Sequence, residues 1–176
     1  MVGALSGDQI RELVQGEQAL LSDYLDLNAQ LQPNGFDLTL QHAQSFIGAG
    51  SLAISNVSRE LPSLAPVPDD GTGWLRLSPG PYLITFNEEV RMPADVMALG
   101  RPRSSLGRCG VAIHSAVWDA GYHGRSASLL VVSNPAGFNL EIGARLLQLV
   151  FFRLERAVTV GYSGTYQGEG LSPDAR

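Results

Sequence analysis

Apolar residues in this chain recur in short runs, each shut off by turn-forming residues before it reaches the length of a helix. Expected strands occupy 36–40, 74–77, 82–86, 96–99, 111–114, 128–133, 138–142 and 146–154. Between them stand Asn34-Gly35, Ser78-Pro79-Gly80, Arg91-Met92-Pro93, Asp119-Ala120-Gly121 and Asn134-Pro135-Ala136-Gly137, all turn material. Many short strands at close spacing point to a sandwich or barrel rather than alternating β-α units. One helical segment stands out. Ser6, Gly7, Asp8, Gln9 reads as a capping box, Ile10, Leu13 and Val14 then share a helical face, and Gly16 offers a stop. The expected class is therefore mostly β, with a short N-terminal helix. At 176 residues one compact domain is the default, here 1–160. The stretch 61–73, with three prolines and two glycines, reads as an exposed loop, and 161–176, rich in Gly, Ser, Tyr and Gln, as a mobile tail.

Charge narrows the partner. Seventeen acidic residues against twelve basic ones give a net charge of −5, the wrong sign for a general nucleic-acid binder, so a small-molecule partner is expected. All twelve basic residues are arginine. Schiff-base chemistry and a P-loop lysine are thereby excluded, and any phosphate clamp must use guanidinium and backbone N–H groups. Cys109 is the single cysteine, which excludes an intrachain disulfide, a cysteine zinc site and the zinc-deaminase signature with its paired cysteines. No run approaches 18 apolar residues, and MVGALSGDQI lacks a basic stretch followed by an apolar one. Neither a membrane span nor export is expected, and the cytoplasm fits.

Two clusters carry chemistry. In Arg101-Pro102-Arg103-Ser104-Ser105-Leu106-Gly107-Arg108, three guanidinium groups and two hydroxyls follow an apolar strand, a donor set suited to an anion. The same residues fit a solvated turn whose arginines pair with carboxylates elsewhere, and residue types do not decide between the two. In Val117-Trp118-Asp119-Ala120-Gly121-Tyr122-His123-Gly124 a turn holds a carboxylate and an aromatic ring that can serve a ligand as base and stacking surface. The plainer reading makes Asp119 a turn residue and Trp118 a core residue. His42, His114 and His123 form no helical HxxxH pair, so zinc is poorly supported. A triad of Ser104 or Ser105, His114 and Asp119 lacks a GxSxG elbow.

Taken in order, QPNGFDLTL, PRSSLGR, WDAGYHG, IGARLLQLVF and the closing YSGTYQGEGLSP resemble the five motifs of the trimeric dUTPases and dCTP deaminases. The resemblance runs from position 32 to position 173. It implies a distorted β-barrel or jelly-roll of the β-clip type, assembled as a homotrimer with interfacial active sites and a tail that closes over them. It further implies that Arg103, Ser104, Ser105, Arg108 and Gln148 bind a triphosphate. Tyr122, Ala116, Tyr166 and Gln167 would contact the nucleoside, with the Tyr122 ring against the deoxyribose. Asp37 would support magnesium through water, the ion being bound mainly by the substrate, and Asp119 would be the catalytic carboxylate.

Within that superfamily the deaminases depend on a glutamate on the strand after the third motif. Aligned without gaps its place falls at Leu129, and 120–140 contains no Asp or Glu. Leucine cannot move a proton. The resemblance therefore implies a dUTP diphosphatase that releases dUMP and pyrophosphate. The alternatives are a dCTP deaminase, alone or bifunctional, and an inactive nucleotide-binding homologue. In the closing segment the family's lysine position falls at Thr165 and its final glutamine at Glu169. A hydroxyl thus replaces a cation, and the Glu169 carboxylate is expected to repel the phosphates.

Overall fold

The computed structural model describes residues 3–171, so the end of the expected tail, 172–176, lies outside the described residues. Fifteen strands run in chain order: β1 (Gly3–Ala4), β2 (Leu21–Ser22), β3 (Leu31–Gln32), β4 (Gly35–Ile47), β5 (Ser63–Pro66), β6 (Trp74–Leu77), β7 (Gly80–Phe86) and β8 (Glu89–Arg91). They continue as β9 (Val96–Pro102), β10 (Val111–His114), β11 (Val117–Trp118), β12 (His123–Gly124), β13 (Ala127–Val132), β14 (Phe138–Glu141) and β15 (Arg145–Arg153). Three short helices join them, α1 (Gly7–Gln15), α2 (Leu27–Gln30) and α3 (Ser104–Arg108). The mostly-β class is as expected.

Every ladder among the described residues is antiparallel. The main sheet runs β10-β13-β7-β4-β15-β9-β11 and curls on itself as a partial barrel. Its inner face buries Phe36, Leu38 and Leu40 of β4 against Ile84 and Phe86 of β7, Leu130 of β13, and Leu147, Leu149 and Phe151 of β15. These period-2 positions are the alternating residues that made the strands readable. The β4–β15 ladder shifts register between Arg145 and Leu147. The extra residue lets Leu146 and Leu147 both be buried, and the Leu146 carbonyl, freed from that ladder, accepts from Arg103 N at 2.9 Å.

The capping box forms as expected: Ser6 Oγ accepts from Gln9 N and Gln9 Oε1 from Ser6 N, while Ile10 and Val14 are buried. Three segments differ from expectation. The strand expected at 36–40 continues to Ile47, the proline-rich stretch expected as a loop contains β5, and the arginine-serine cluster folds as α3. Strand pairing explains the first two: Gln44 to Ile47 bond with Ser63–Pro66, so a segment without clear alternation is held by its neighbour.

Candidate active site

Strand register assembles the first half of the site. Asp37 on β4 stands opposite Gln148 on β15, which stands opposite Arg101 on β9. Directly opposed residues share a face of the sheet, and Arg103 follows Arg101 by one period. Asp37 is only 2% exposed, and its Oδ2 lies 3.2 Å from Arg103 Nε and 3.4 Å from Arg145 Nη1. Burial pushes this carboxyl above its ordinary pKa, and the two guanidinium groups offset part of that rise. Asp37 was expected to support magnesium-bound water. In the structure its carboxylate faces two arginines, Arg103 and Arg145. The physical reason is that a buried carboxylate needs paired charge, and these guanidinium groups are its neighbours.

Ser104 and Ser105 are exposed on the first turn of α3, which buried Leu106 anchors to the core. Arg108 bonds back to the Ser104 carbonyl at 3.0 Å. Arg103, Ser104, Ser105, Arg108 and Gln148 thus belong to adjoining elements, one helix and one strand pair. Gly35 is required beside them, since a Cβ there would lie 2.4 Å from Leu149 O and 2.8 Å from Gln148 Cγ. Arg145 belongs with this group and was passed over, although it stands in IGARLLQLVF three residues before Gln148.

The second half is a cavity of about 560 Å³. Ala116 lines it from the link between β10 and β11, Asp119 and Tyr122 from the turn between β11 and β12, Leu64 and Leu83 from β5 and β7, and Tyr166 and Glu169 from the tail. The turn closes through Tyr122 N to Asp119 O at 3.0 Å, with Gly121 at φ +85°. A side chain at Gly121 would be strained by that φ, and its Cβ would lie 2.7 Å from Gly161 Cα. Asp119 is consequently exposed to the cavity, whereas Trp118 is buried and its Nε1–H donates to Ser126 Oγ at 3.0 Å. Along β13 the wall is Ala127, and Leu129, opposite Leu83, continues the same face without a carboxylate.

The tail packs against this turn. Tyr162 N donates to Ala120 O, Gly168 N to His123 O and Arg125 N to Glu169 O, each at 2.8 Å. Gln167, expected at the nucleoside, spends its amide on the backbone: Oε1 accepts from His123 N and Nε2 donates to Gly121 O, both at 3.1 Å. Tyr122 is 6% exposed, meets Tyr162 edge-on at 5.7 Å, and donates from its hydroxyl to Glu169 Oε1 at 2.8 Å. Burial, then the adjacent Glu169 carboxyl, pushes this phenol well above its ordinary pKa. Glu169, whose sequence position implies that it would repel the phosphates, here accepts from a tyrosine hydroxyl. That hydroxyl is buried, and the carboxyl supplies it with an acceptor.

A pH effect follows. Burial raises the Glu169 pKa, and the bond from Tyr122 pulls it only partway back. The docked tail thus binds the proton more tightly than an undocked one, so docking is strongest below the ordinary carboxylate range and weakens as pH rises through the raised value. Followed by NMR at the Gly168 amide, the docked population should fall across that window in the wild type and stay level in Glu169→Gln. A wild-type population independent of pH would refute the coupling.

None of Arg103, Ser104, Ser105, Arg108 or Gln148 lines the cavity. The fold and sequence have clear relatives. A protein-family model described as dCTP deaminase-like matches residues 4–154. A Methanosarcina mazei protein named probable deoxyuridine 5′-triphosphate nucleotidohydrolase is 46% identical over 168 residues, 96% of this chain and 98% of its own. An Archaeoglobus fulgidus protein of the same name is 48% identical over 170 residues, 97% of this chain and 99% of its own. The 2′-deoxycytidine 5′-triphosphate deaminase from Agrobacterium tumefaciens matches with a TM-score of 0.65 at 23% identity, over 86% of this chain and 48% of that one. This chain thus spans about half that deaminase's length, and the likeness concerns the fold alone.

Proposed function

The chain belongs to the dCTP deaminase-like family, within the dUTPase and dCTP deaminase superfamily, and from that membership we propose that it hydrolyses dUTP to dUMP and pyrophosphate. The observation that carries hydrolysis over deamination lies on β13: Ala127, which lines the cavity, and Leu129, one period further along the same strand, offer no carboxylate, while Asp119 is exposed in the cavity.

In this reading the base and deoxyribose enter the cavity, with Tyr122 against the sugar and Ala116 and Tyr166 along the nucleoside. Arg103, Ser104, Ser105, Arg108 and Gln148 hold the triphosphate, and Arg145 joins them. Asp37 acts from behind, fixing Arg103 and Arg145 through its paired oxygen. Gln167 serves the nucleoside indirectly, by stitching the tail to the turn. Magnesium arrives on the triphosphate, as part of the substrate rather than in a protein cage.

Asp119 accepts a proton from water as the water oxygen bonds to the α-phosphorus. The bond from that phosphorus to the bridging oxygen breaks, and pyrophosphate leaves with the electron pair. Because none of these phosphate residues lines the cavity, a neighbouring copy would complete each site, which supports a homotrimer. The tail 161–171 closes the cavity of its own protomer in this reading.

The test is to incubate the protein with each deoxynucleoside triphosphate and magnesium, assaying pyrophosphate and ammonia together. Pyrophosphate from dUTP alone is expected. Ammonia from dCTP would move the chain to the deaminase branch, and tight dUTP binding without pyrophosphate would make it a sensor.

A further inference from the structure

The side chains facing the cavity include two carboxyl groups, Asp119 and Glu169, and no cation. An anionic ligand entering it meets like charge unless a positive group stands at the mouth. Arg59 stands against Tyr166, one of the residues that line the cavity. It ends the 3-10 turn Asn56–Ser58, which Ser55 caps through Val57 N at 3.3 Å. Its own N–H donates to Asn56 O at 3.3 Å, and the Ser51–Glu60 bridge holds the chain beyond it. Its neighbours along this arm, Leu52, Ile54 and Val57, are exposed, but Arg59 is half-buried because its side chain lies on the tail.

Two contacts fix the guanidinium. Nη2 donates to Thr165 Oγ1 at 2.9 Å, and Cζ lies 5.6 Å from the centre of the Tyr166 ring, one of the rings that line the cavity. Leu61 and Pro62, just beyond Arg59 in the arm, line it too. Among the described residues Arg59 makes no salt bridge, in contrast to Arg103, Arg125, Arg145 and Arg153. A guanidinium carries five N–H donors, so one bond to Thr165 leaves most of the fork free. Side-chain order without charge pairing is what a waiting anion contact needs.

We propose that Arg59 is a further substrate-binding residue, contacting the phosphates of the nucleotide held in this cavity. The chain thereby brings a cation from the arm to Thr165, within a closing segment that has no lysine or arginine over 161–171. The inference rests on the dUTP reading.

A residue that only pinned the tail would affect every ligand of the cavity alike, whereas a phosphate contact weighs only on ligands that carry phosphates. Binding of deoxyuridine, dUMP and a non-hydrolysable dUTP analogue should therefore be titrated for wild type, Arg59→Met and Arg59→Lys. Arg59→Met is expected to weaken the triphosphate analogue on the order of tenfold or more, the loss of one charge-assisted bond. Deoxyuridine should bind as before, and Arg59→Lys should recover part of the loss. Equal weakening of all three ligands, or no weakening of the analogue, would overturn the proposal. A wild type that binds none of the three would overturn the dUTP reading instead, and this inference with it.

Discussion

Asp119→Asn should lower kcat for dUTP by about 10²–10⁴-fold while leaving the protein folded and nucleotide binding nearly intact. Asparagine keeps the shape of the side chain and can still hold a water, but it cannot take the water's proton. The backbone does not stand in the way: the turn closes through the Asp119 carbonyl, and Gly121 supplies the positive φ. Tm should move little, because the carboxylate is exposed to the cavity and carries no salt bridge among the described residues. A rise in KM with kcat unchanged would make Asp119 a binding group rather than the base. Near-full hydrolysis by the variant would remove it from the mechanism.

That assignment draws on residues close together in sequence, and such residues were the legible part of this chain. Trp74–Leu77 and Val111–His114 have the bounds their alternation predicts, because each ends at turn residues. The helix α1 was equally plain, since Ser6 and Gln9 are three residues apart and bond each other. What alternation could not show is structure that exists only as a partner. The two-residue strands β1, β2, β3, β11 and β12 have no pattern of their own, and β5 is a strand because β4 runs beside it.

The candidate site divides in the same way. The arginine-serine cluster and the Asp119 turn could be marked as polar groups on turns. Their partners could not. Tyr122 and Glu169 are 47 residues apart, and Arg59 and Thr165 are 106 apart. Residue type gives Glu169 a charge but not a direction, and the direction makes it a hydroxyl's acceptor. For Asp37 the missing information was burial. Its carboxylate is buried against Arg103 and Arg145, a pairing that residue type and spacing do not reveal.

Burial also makes Glu88 the most consequential polar residue of the fold, and Glu88→Ala should destabilise the protein by at least about 3 kcal/mol. The side chain is 0% exposed. Its Oε1 accepts from Gln30 Nε2 at 2.7 Å and from Thr39 Oγ1 at 2.6 Å, and its Oε2 accepts from Thr39 N at 2.9 Å. Alanine would orphan three donors inside the molecule, at about 1–3 kcal/mol each, and leave a void besides. For a chain of this size that corresponds to a fall in Tm of roughly 6–12 °C. Gln30 Nε2 also donates to the Asp37 carbonyl at 2.8 Å, so the network braces the strand that aims Asp37 at Arg103 and Arg145. The variant that remains folded at low temperature should therefore lose affinity for the dUTP analogue more than for deoxyuridine. Glu88→Gln keeps one acceptor but turns an amide toward donors, and should fall between alanine and wild type. An unchanged Tm in Glu88→Ala would show that water replaces the carboxylate at no cost, and that the network does not hold β4 in place.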